Sequence, residues 1–185
     1  MKISVIITNF NHAPYIEYSL ESVIKQTYKD VEIIIIDDGS TDNSKEVITK
    51  LKEKYPEVKT IFSKENKGKW FVLNQAIEIA TGEIISLNDA DDVSHPQRLE
   101  RQLYVMQKTK SFHNLCGFKH CYSQKDIEMV SGGNLYSTLP DEKDIIPANE
   151  VTSLVHKHFK IPGINHYCIG QYETHGASCL FYKQH

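Results

Sequence analysis

The segment Val31-Glu32-Ile33-Ile34-Ile35-Ile36 is apolar at nearly every position and runs directly into Asp37-Asp38-Gly39. A strand with one face in water alternates apolar and polar residues, whereas a strand of a parallel sheet is covered on both faces and is apolar throughout. The segment therefore predicts a buried strand with helices packed on both faces of its sheet. The aspartates and the glycine that follow are typical of a turn at the end of such a strand.

The first 110 residues repeat this arrangement, with apolar runs and helical patterns in alternation. The predicted strands are Ile3–Ile7, Val31–Ile36, Val58–Phe62 and Glu83–Leu87. The predicted helices begin after Pro14, after Asp42 as N-cap, at Trp70 and after Pro96, and the third stops before Gly82. Trp70 is expected to pack this third helix rather than to contact a ligand. Four β–α units predict an α/β fold with a mostly parallel, doubly wound sheet.

Beyond Ser111 the alternation is lost, and residues 123–149 are polar and indicate an extended loop region. Three elements are predicted in this part: a strand at Leu115–Tyr122, a short helix at Val151–His158 and a strand at Ala177–Tyr182. We therefore predict one domain with two halves, residues 1–110 and residues 111–185.

Composition excludes several classes of protein. A net charge of −3 over 185 residues argues against a nucleic-acid partner. No apolar run has membrane-spanning length, and the N-terminus shows no signal-peptide pattern. Four cysteines fit reduced thiols, so a cytoplasmic protein is expected. Cys116, His120 and Cys121 match no common zinc-ligand spacing.

The strand at Glu83–Leu87 runs into an acidic corner, Asn88-Asp89-Ala90-Asp91-Asp92. Carboxylates this close repel one another, and a bound cation or several hydrogen-bond donors relieve that repulsion. The Asp89-Ala90-Asp91 spacing supplies oxygen ligands of the kind that Mg²⁺ or Mn²⁺ prefers. The alternative is a solvated acidic turn, in which aspartate is also common.

Polar segments follow each of the four predicted strands: Thr8-Asn9-Phe10-Asn11, Asp37–Asp42, Lys64–Lys69 and Asp89–Asp92. Ligands of open parallel sheets bind beyond the carboxyl ends of the strands. The four segments are therefore expected to converge on one ligand site.

Each segment offers a chemical role and an ordinary alternative. Phe10 presents a flat apolar face for a stacked base, or simply packs beneath its loop. Asp38 can accept a hydrogen bond from an imide N–H such as that of uracil, or can cap the turn that Gly39 makes. Lys67 and Lys69 can neutralise a diphosphate, or belong to a solvated loop.

Three other motifs are excluded. A phosphatase loop needs Asp-x-Asp-Gly-Thr, whereas Asp37 and Asp38 are adjacent. Gly68-Lys69 lacks the earlier glycine of a Walker A loop and is followed by Trp70 instead of serine or threonine. No G-x-G-x-x-G follows the first strand, which argues against a dinucleotide-binding enzyme.

Separated blocks nevertheless resemble one known family. Ser4–Asn11, Val31–Ser44 and Asn74–Leu99, in this order and spacing, are similar to the family 2 glycosyltransferases of the GT-A fold. The resemblance covers about residues 2 to 105. It implies a three-layer α/β sandwich and an inverting transfer of sugar from a nucleotide-sugar, most often a UDP-sugar, with Mn²⁺ or Mg²⁺.

The resemblance also implies roles for single residues. Thr8, Phe10 and Asp38 would contact the base, with Asn9 and Asn11 in the same nucleotide-binding loop. Asp91 would be the main metal ligand, and Asp89 would approach the ribose or the metal. Lys67 or Lys69 would be the basic residue near the nucleotide.

The general base is not identified by the resemblance. The family places this Asp or Glu after a strand corresponding to Ala177–Tyr182, and no carboxylate follows Glu173. The acceptor-binding half is therefore expected to be incomplete. Substitute bases within the chain are Asp141, Glu142, Asp144 and Glu173. His166 and His175 are candidates for a further metal ligand, with an ordinary loop or strand histidine as the alternative.

Three functional hypotheses follow. The first is a metal-dependent glycosyltransferase acting on a saccharide or lipid-linked acceptor, with peripheral association at the cytoplasmic face of a membrane, as in the surface-polysaccharide assembly common in this family. The second is a non-catalytic nucleotide-sugar-binding remnant or a truncated fragment that lacks the base. The third is a nucleotidyltransferase, which would release pyrophosphate.

Overall fold

The computed structural model describes residues 1–116, 145–146, 168–169 and 179–183. In chain order the elements are β1 (Ile3–Asn9), α1 (Ile16–Ile24), β2 (Val31–Asp37), α2 (Ser44–Lys54), β3 (Lys59–Phe62), α3 (Lys69–Ile79), β4 (Ile84–Asp89), α4 (Arg98–Thr109), β5 (His113–Cys116), β6 (Ile145–Ile146), β7 (Cys168–Ile169) and β8 (Cys179–Tyr182). In this described part the strands form one sheet in the order β3-β2-β1-β4-β8-β5-β7-β6.

Strands β1 to β4 are mutually parallel, and β8 lies antiparallel between β4 and β5. The predicted α/β fold with a mostly parallel sheet is therefore confirmed. No helix among the described residues is both long and apolar enough to cross a membrane.

Alternate residues of the central strands enter two separate cores. Ile3, Val5 and Ile7 of β1 belong to the core that includes apolar residues of α1, α2 and α4. Ile6 of β1 points to the other face, into a second core built with Val72 and neighbouring residues of α3. Because both faces of the sheet are covered, consecutive apolar residues of β1 and β2 are buried in turn on opposite faces, and the domain is a sandwich of three layers.

Strand register brings the predicted ligand-binding ends level with one another. Asn9 at the end of β1 lies opposite Asp37 of β2, and Thr8 lies opposite Asp89 of β4. From β1 the chain first builds β2 and β3 on one side and then crosses to β4 on the other side. Such a reversal of strand order opens a crevice at the carboxyl ends of the strands, where open α/β sheets bind ligands.

Several local predictions need correction. The N-cap of α2 is Asn43 and not Asp42, whose carboxylate instead accepts hydrogen bonds from the Ala13 and Ser44 backbone N–H groups at 3.1 and 2.9 Å. Trp70 does not pack α3, because 71% of its surface is exposed.

Gly82 does not end α3, because the helix stops at Ile79 and is capped by Ala80 in an extended conformation. The glycine is required by close approach, since a Cβ there would lie 2.6 Å from the Ser4 backbone nitrogen.

Predictions for the second half are tested only where residues are described. Of the strand predicted at Leu115–Tyr122, residues 115 and 116 belong to the observed strand His113–Cys116, and the rest lies outside the described residues. Of the strand predicted at Ala177–Tyr182, residues 179–182 form a strand, and the first two residues lie outside the described part. Ile145–Ile146 forms a short strand within the segment predicted as a loop. The helix predicted at Val151–His158 lies outside the described residues.

Candidate active site

A cavity of about 310 Å³ lies at the carboxyl ends of β1, β2 and β4. It is lined by Thr8, Asn9, Phe10, His12, Asp38, Asn66, Gly68, Lys69, Val72, Asp89 and Asp91. Most of the residues singled out in the sequence thus lie around one space, as expected from parallel strands that end at one edge.

An ion pair crosses one side of this cavity. The ammonium group of Lys69, the first residue of α3, lies 2.5 and 2.7 Å from the two carboxylate oxygens of Asp89 at the end of β4. The Thr8 hydroxyl donates a further hydrogen bond to Asp89 Oδ1 at 2.9 Å. Asp91, two residues further on, faces the same cavity. This wall of the cavity therefore carries carboxylate oxygens, and the two of Asp89 contact the Lys69 ammonium.

A buried amide holds the acidic corner in shape. Asn88 is 1% exposed, and its Nδ2 donates to Ser19 Oγ at 2.8 Å and to the carbonyl oxygens of Asp89 and Asp92, each at 3.1 Å. Ser19 Oγ in turn donates to the Asp89 carbonyl at 3.0 Å. One side chain thus ties both ends of the corner to α1.

A buried arginine supports this amide from below. Asn88 Oδ1 accepts hydrogen bonds from Ser94 Oγ at 2.7 Å and from Arg98 Nη2 at 3.3 Å, and Arg98 Nη1 also donates to Ser86 Oγ at 3.0 Å. Sequence reasoning did not assign Ser19, Ser94 or Arg98 to the site. The signal available for Arg98 was its place in the blocks that carry the family resemblance.

The acidic corner retains unbalanced negative charge. The pKa of Asp92 is raised to about 6, first by burial and then by the charges of Asp89 and Asp91, which outweigh the opposing effects of Arg98 and Lys69. A cation bound here would relieve this repulsion, and carboxylate oxygens suit Mg²⁺ or Mn²⁺. No three His, Cys, Asp or Glu side chains of the described ranges are arranged to hold a metal alone. Any metal at this corner would need additional ligands, such as phosphate oxygens or water.

The opposite end of the cavity is built on Asp38, which is 3% exposed. Its carboxylate accepts backbone hydrogen bonds from Lys67 at 2.8 Å and Gly68 at 2.9 Å, which fastens the β3–α3 loop to the end of β2. Gly39 has φ +69°, and a Cβ there would lie 2.4 Å from the Glu65 carbonyl carbon. Each Asp38 oxygen keeps a second lone pair with which to accept a ligand N–H.

The end of β1 supplies an aromatic face and a buried amide. Phe10 is 39% exposed and lines the cavity, so it does not pack beneath its loop. Asn9 is 2% exposed, and its Nδ2 donates to Asp37 Oδ2 at 2.7 Å and to Ser40 Oγ at 3.1 Å. Asn9 therefore mainly joins the ends of β1 and β2, and its Oδ1 has no hydrogen-bond partner within the described structure.

Two residues predicted for the nucleotide site lie away from the cavity lining. Asn11, at φ +58°, accepts the Thr41 backbone N–H at 2.8 Å and so orders the β2–α2 loop. The Lys67 ammonium lies 5.1 Å from the centroid of the Phe71 ring and 3.9 Å from a Glu65 carboxylate oxygen, and Lys67 is not part of the cavity lining. Conversely, His12 and Val72 line the cavity without having been predicted, and Asn66 and Gly68 were expected there only as part of the segment Lys64–Lys69.

A sequence model described as glycosyl transferase family 2 matches residues 4–160. The chain belongs to this family. The two histidines and the four acidic residues proposed above as a further metal ligand or as the general base lie outside the described part of the chain.

Relatives of this family 2 glycosyltransferase chain include two bacterial proteins. It is 49% identical over 108 residues to an uncharacterized glycosyltransferase, alr2836, of Nostoc sp., a match that covers 58% of this chain and 33% of that protein. It is 33% identical over 141 residues to the Escherichia coli UDP-Glc:alpha-D-GlcNAc-diphosphoundecaprenol beta-1,3-glucosyltransferase WfaP, covering 75% of this chain and 52% of that protein. The chain thus spans a third to about half of the length of these relatives.

The fold of this family 2 chain is the GT-A fold of solved glycosyltransferases. The mannosyltransferase PcManGT of Pyrobaculum calidifontis, solved with GDP-Man and Mn²⁺, superimposes with a TM-score of 0.60 and 26% sequence identity. The superposition covers 70% of this chain and 39% of that one.

Proposed function

We propose that this chain is the donor-binding part of an inverting glycosyltransferase that moves sugar from a nucleotide-sugar, most simply a UDP-sugar, to an acceptor hydroxyl. The observation that carries the proposal is a single cavity with Phe10 and Asp38 at one end and Lys69, Asp89 and Asp91 at the other. A nucleobase fits the end with Phe10 and Asp38, and a metal-bound diphosphate fits the end with Lys69, Asp89 and Asp91.

The end of the cavity that contains Phe10 and Asp38 orients the nucleobase. The exposed face of Phe10 stacks against the base, a contact that accepts any base because all have a π-face. Asp38 selects a base with a hydrogen-bond donor on its edge, such as the imide of uracil. Because the hydrogen bonds from Lys67 and Gly68 fix this carboxylate, it needs little rearrangement on binding.

The diphosphate end supplies charge stabilisation. Asp91, with Asp89, would hold the Mn²⁺ or Mg²⁺, which when bound stabilises negative charge on the departing diphosphate as a Lewis acid. As the C1–O bond breaks, its electron pair leaves with the nucleoside diphosphate, and Lys69 neutralises a phosphate oxygen. We assign this role to Lys69 rather than Lys67, because only Lys69 lines the cavity.

The acceptor completes the reaction. Its hydroxyl attacks C1 from the face opposite the diphosphate, which inverts the configuration, and a carboxylate beyond the described residues removes its proton. A saccharide or lipid-linked acceptor is proposed because the name of the relative WfaP includes a diphosphoundecaprenol-linked sugar. The cytoplasmic face of a membrane is the corresponding location.

Calorimetric titration of the full chain with UDP, with and without Mn²⁺, tests the proposal. We expect UDP binding to require Mn²⁺ and to be lost in Asp91→Asn. Asp30→Asn is the matched control, because Asp30 is exposed and lies at the other end of the sheet, before β2. UDP binding that ignores Mn²⁺ and survives Asp91→Asn would contradict the proposal.

A further inference from the structure

Lys69 and Asp89 form an ion pair inside the cavity that the proposed function leaves unexplained. Both carboxylate oxygens of Asp89 contact the ammonium, and Thr8 donates to one of them. The carboxylate that would help to hold a metal is thus already neutralised by a cation of the protein. A divalent ion approaching Asp89 has to displace Lys69 or bind beside it.

Lys69 and a divalent ion cannot share Asp89 without repulsion. A unit charge and a double charge within a few ångströms repel each other even in water, enough to weaken binding on the order of tenfold. Lys69 and Asp89 are 43% and 25% exposed, so their pairing adds little to stability. The pair can therefore exchange partners at low cost.

A diphosphate provides the alternative partner for Lys69. Lys69 begins α3, whose N-terminus has no side-chain cap and no acidic residue in its first turn, so this wall of the cavity carries positive potential. The anionic wall is formed by Asp89 and Asp91. A metal–diphosphate complex would neutralise the charges of both walls, because its phosphate oxygens would contact Lys69 and its metal would bind the carboxylates of Asp89 and Asp91.

We propose that Lys69 is a resident counter-ion that lowers the metal affinity of the acidic corner until a diphosphate draws it away, so that metal and nucleotide bind cooperatively. This inference rests on the proposed function. The proposed function specifies neither the order nor the coupling of metal and nucleotide binding. Because coupling is reciprocal, each ligand must raise the affinity for the other by the same factor.

The test compares wild type, Lys69→Met and Lys67→Met as full chains. Lys67→Met is the matched control, because it removes the same charge two residues earlier, from a lysine whose ammonium lies near Phe71 and Glu65. Free Mn²⁺ is followed by electron paramagnetic resonance, first without nucleotide and then with UDP. Thermal denaturation of each variant verifies folding, and Lys69→Arg tests whether a cation alone restores the wild-type behaviour.

We expect Lys69→Met to bind Mn²⁺ alone on the order of tenfold more tightly than wild type, while Lys67→Met stays within about twofold. With saturating Mn²⁺, Lys69→Met should bind UDP on the order of tenfold more weakly, so that the coupling between the two ligands decreases. Lys69→Arg should restore both values towards wild type.

Equal or weaker Mn²⁺ binding by Lys69→Met, while UDP binding remains dependent on Mn²⁺, would overturn the inference and leave the proposed function standing. Equal tightening in Lys67→Met would overturn it as well, because the effect would then be one of general charge. Absence of Mn²⁺ binding to every variant, with and without UDP, would overturn both the inference and the proposed function.

Discussion

Replacing Glu32 with glutamine should destabilise the fold while leaving the cavity intact. Glu32 lies in β2 at the end of the sheet opposite the cavity, and its side chain is 6% exposed. Its carboxylate contacts Lys59 Nζ at 2.6 Å and accepts from Ser4 Oγ at 2.5 Å, the Thr81 backbone N–H at 2.8 Å and Thr81 Oγ1 at 2.9 Å. These contacts join β1, β2, β3 and the connection between α3 and β4.

The expected size follows from the pKa of this carboxyl group. Burial alone would raise the pKa of Glu32, but the contacts with Lys59, Ser4 and Thr81 outweigh burial and lower it from 4.5 to about 2. That difference corresponds to about 3 kcal/mol of folding free energy at neutral pH. Because the pKa is lowered on folding, the contribution is complete above pH 4.5 and is lost as pH falls towards 2.

Urea denaturation of wild type and Glu32→Gln at several pH values measures this contribution. The difference in unfolding free energy should be about 3 kcal/mol at pH 7 and should shrink to about half of that at pH 3. Glu57→Gln is the control, because Glu57 is exposed, and it should change stability by less than about 0.5 kcal/mol. A Glu32→Gln protein as stable as wild type, or a difference that does not narrow in acid, would refute this reasoning.

Three further substitutions test the cavity. Phe10→Ala should weaken UDP binding by about 1–3 kcal/mol, because stacking on the ring is lost. Phe112→Ala is the control and should leave UDP binding unchanged, because the Phe112 ring is 74% exposed and does not line the cavity. Equal effects of the two substitutions in calorimetry would exclude stacking on Phe10. Asn88→Ala should lower the free energy of unfolding by about 1–3 kcal/mol and weaken Mn²⁺ binding, because the Asp89 and Asp92 carbonyls lose a hydrogen-bond donor. Unchanged denaturation and Mn²⁺ titration curves would show that the conformation of the acidic corner does not depend on Asn88. Gly39→Ala should lower the free energy of unfolding by about 1–3 kcal/mol and weaken UDP binding, because the alanine Cβ would push away the loop that Asp38 holds. A thermal unfolding midpoint equal to that of wild type would contradict this prediction.

The fold was predictable because its strongest signal is local. A strand buried on both faces is mostly apolar, and Val31–Ile36 meets that requirement at every position except Glu32. The convergence of polar segments followed from parallel topology, since strands such as β1 and β4 necessarily end at the same edge. The sequence alone therefore predicts that Thr8 and Asp89 lie close together, as the register of β1 and β4 confirms.

What could not be predicted depends on contacts between residues far apart in sequence. The hydrogen bonds from Lys67 and Gly68 to Asp38, and the bond from Asn88 to Ser19, leave no periodic trace in the chain. The residue type of Trp70 favours packing, whereas its position on α3 leaves it exposed. The contacts and the exposure of such side chains depend on neighbours in the folded structure and not on a local sequence pattern.

The antiparallel strand β8 has a consequence for synthesis of the protein. Residues 179–182 pair with β4 on one side and with β5 on the other, although β4 and β5 are made much earlier. On the ribosome, the nascent β1–β4 unit can pair internally, but one edge of β4 stays open until this late segment emerges. Unpaired edges attract other chains, so during this interval β4 offers a site for aggregation that β8 covers in the folded protein.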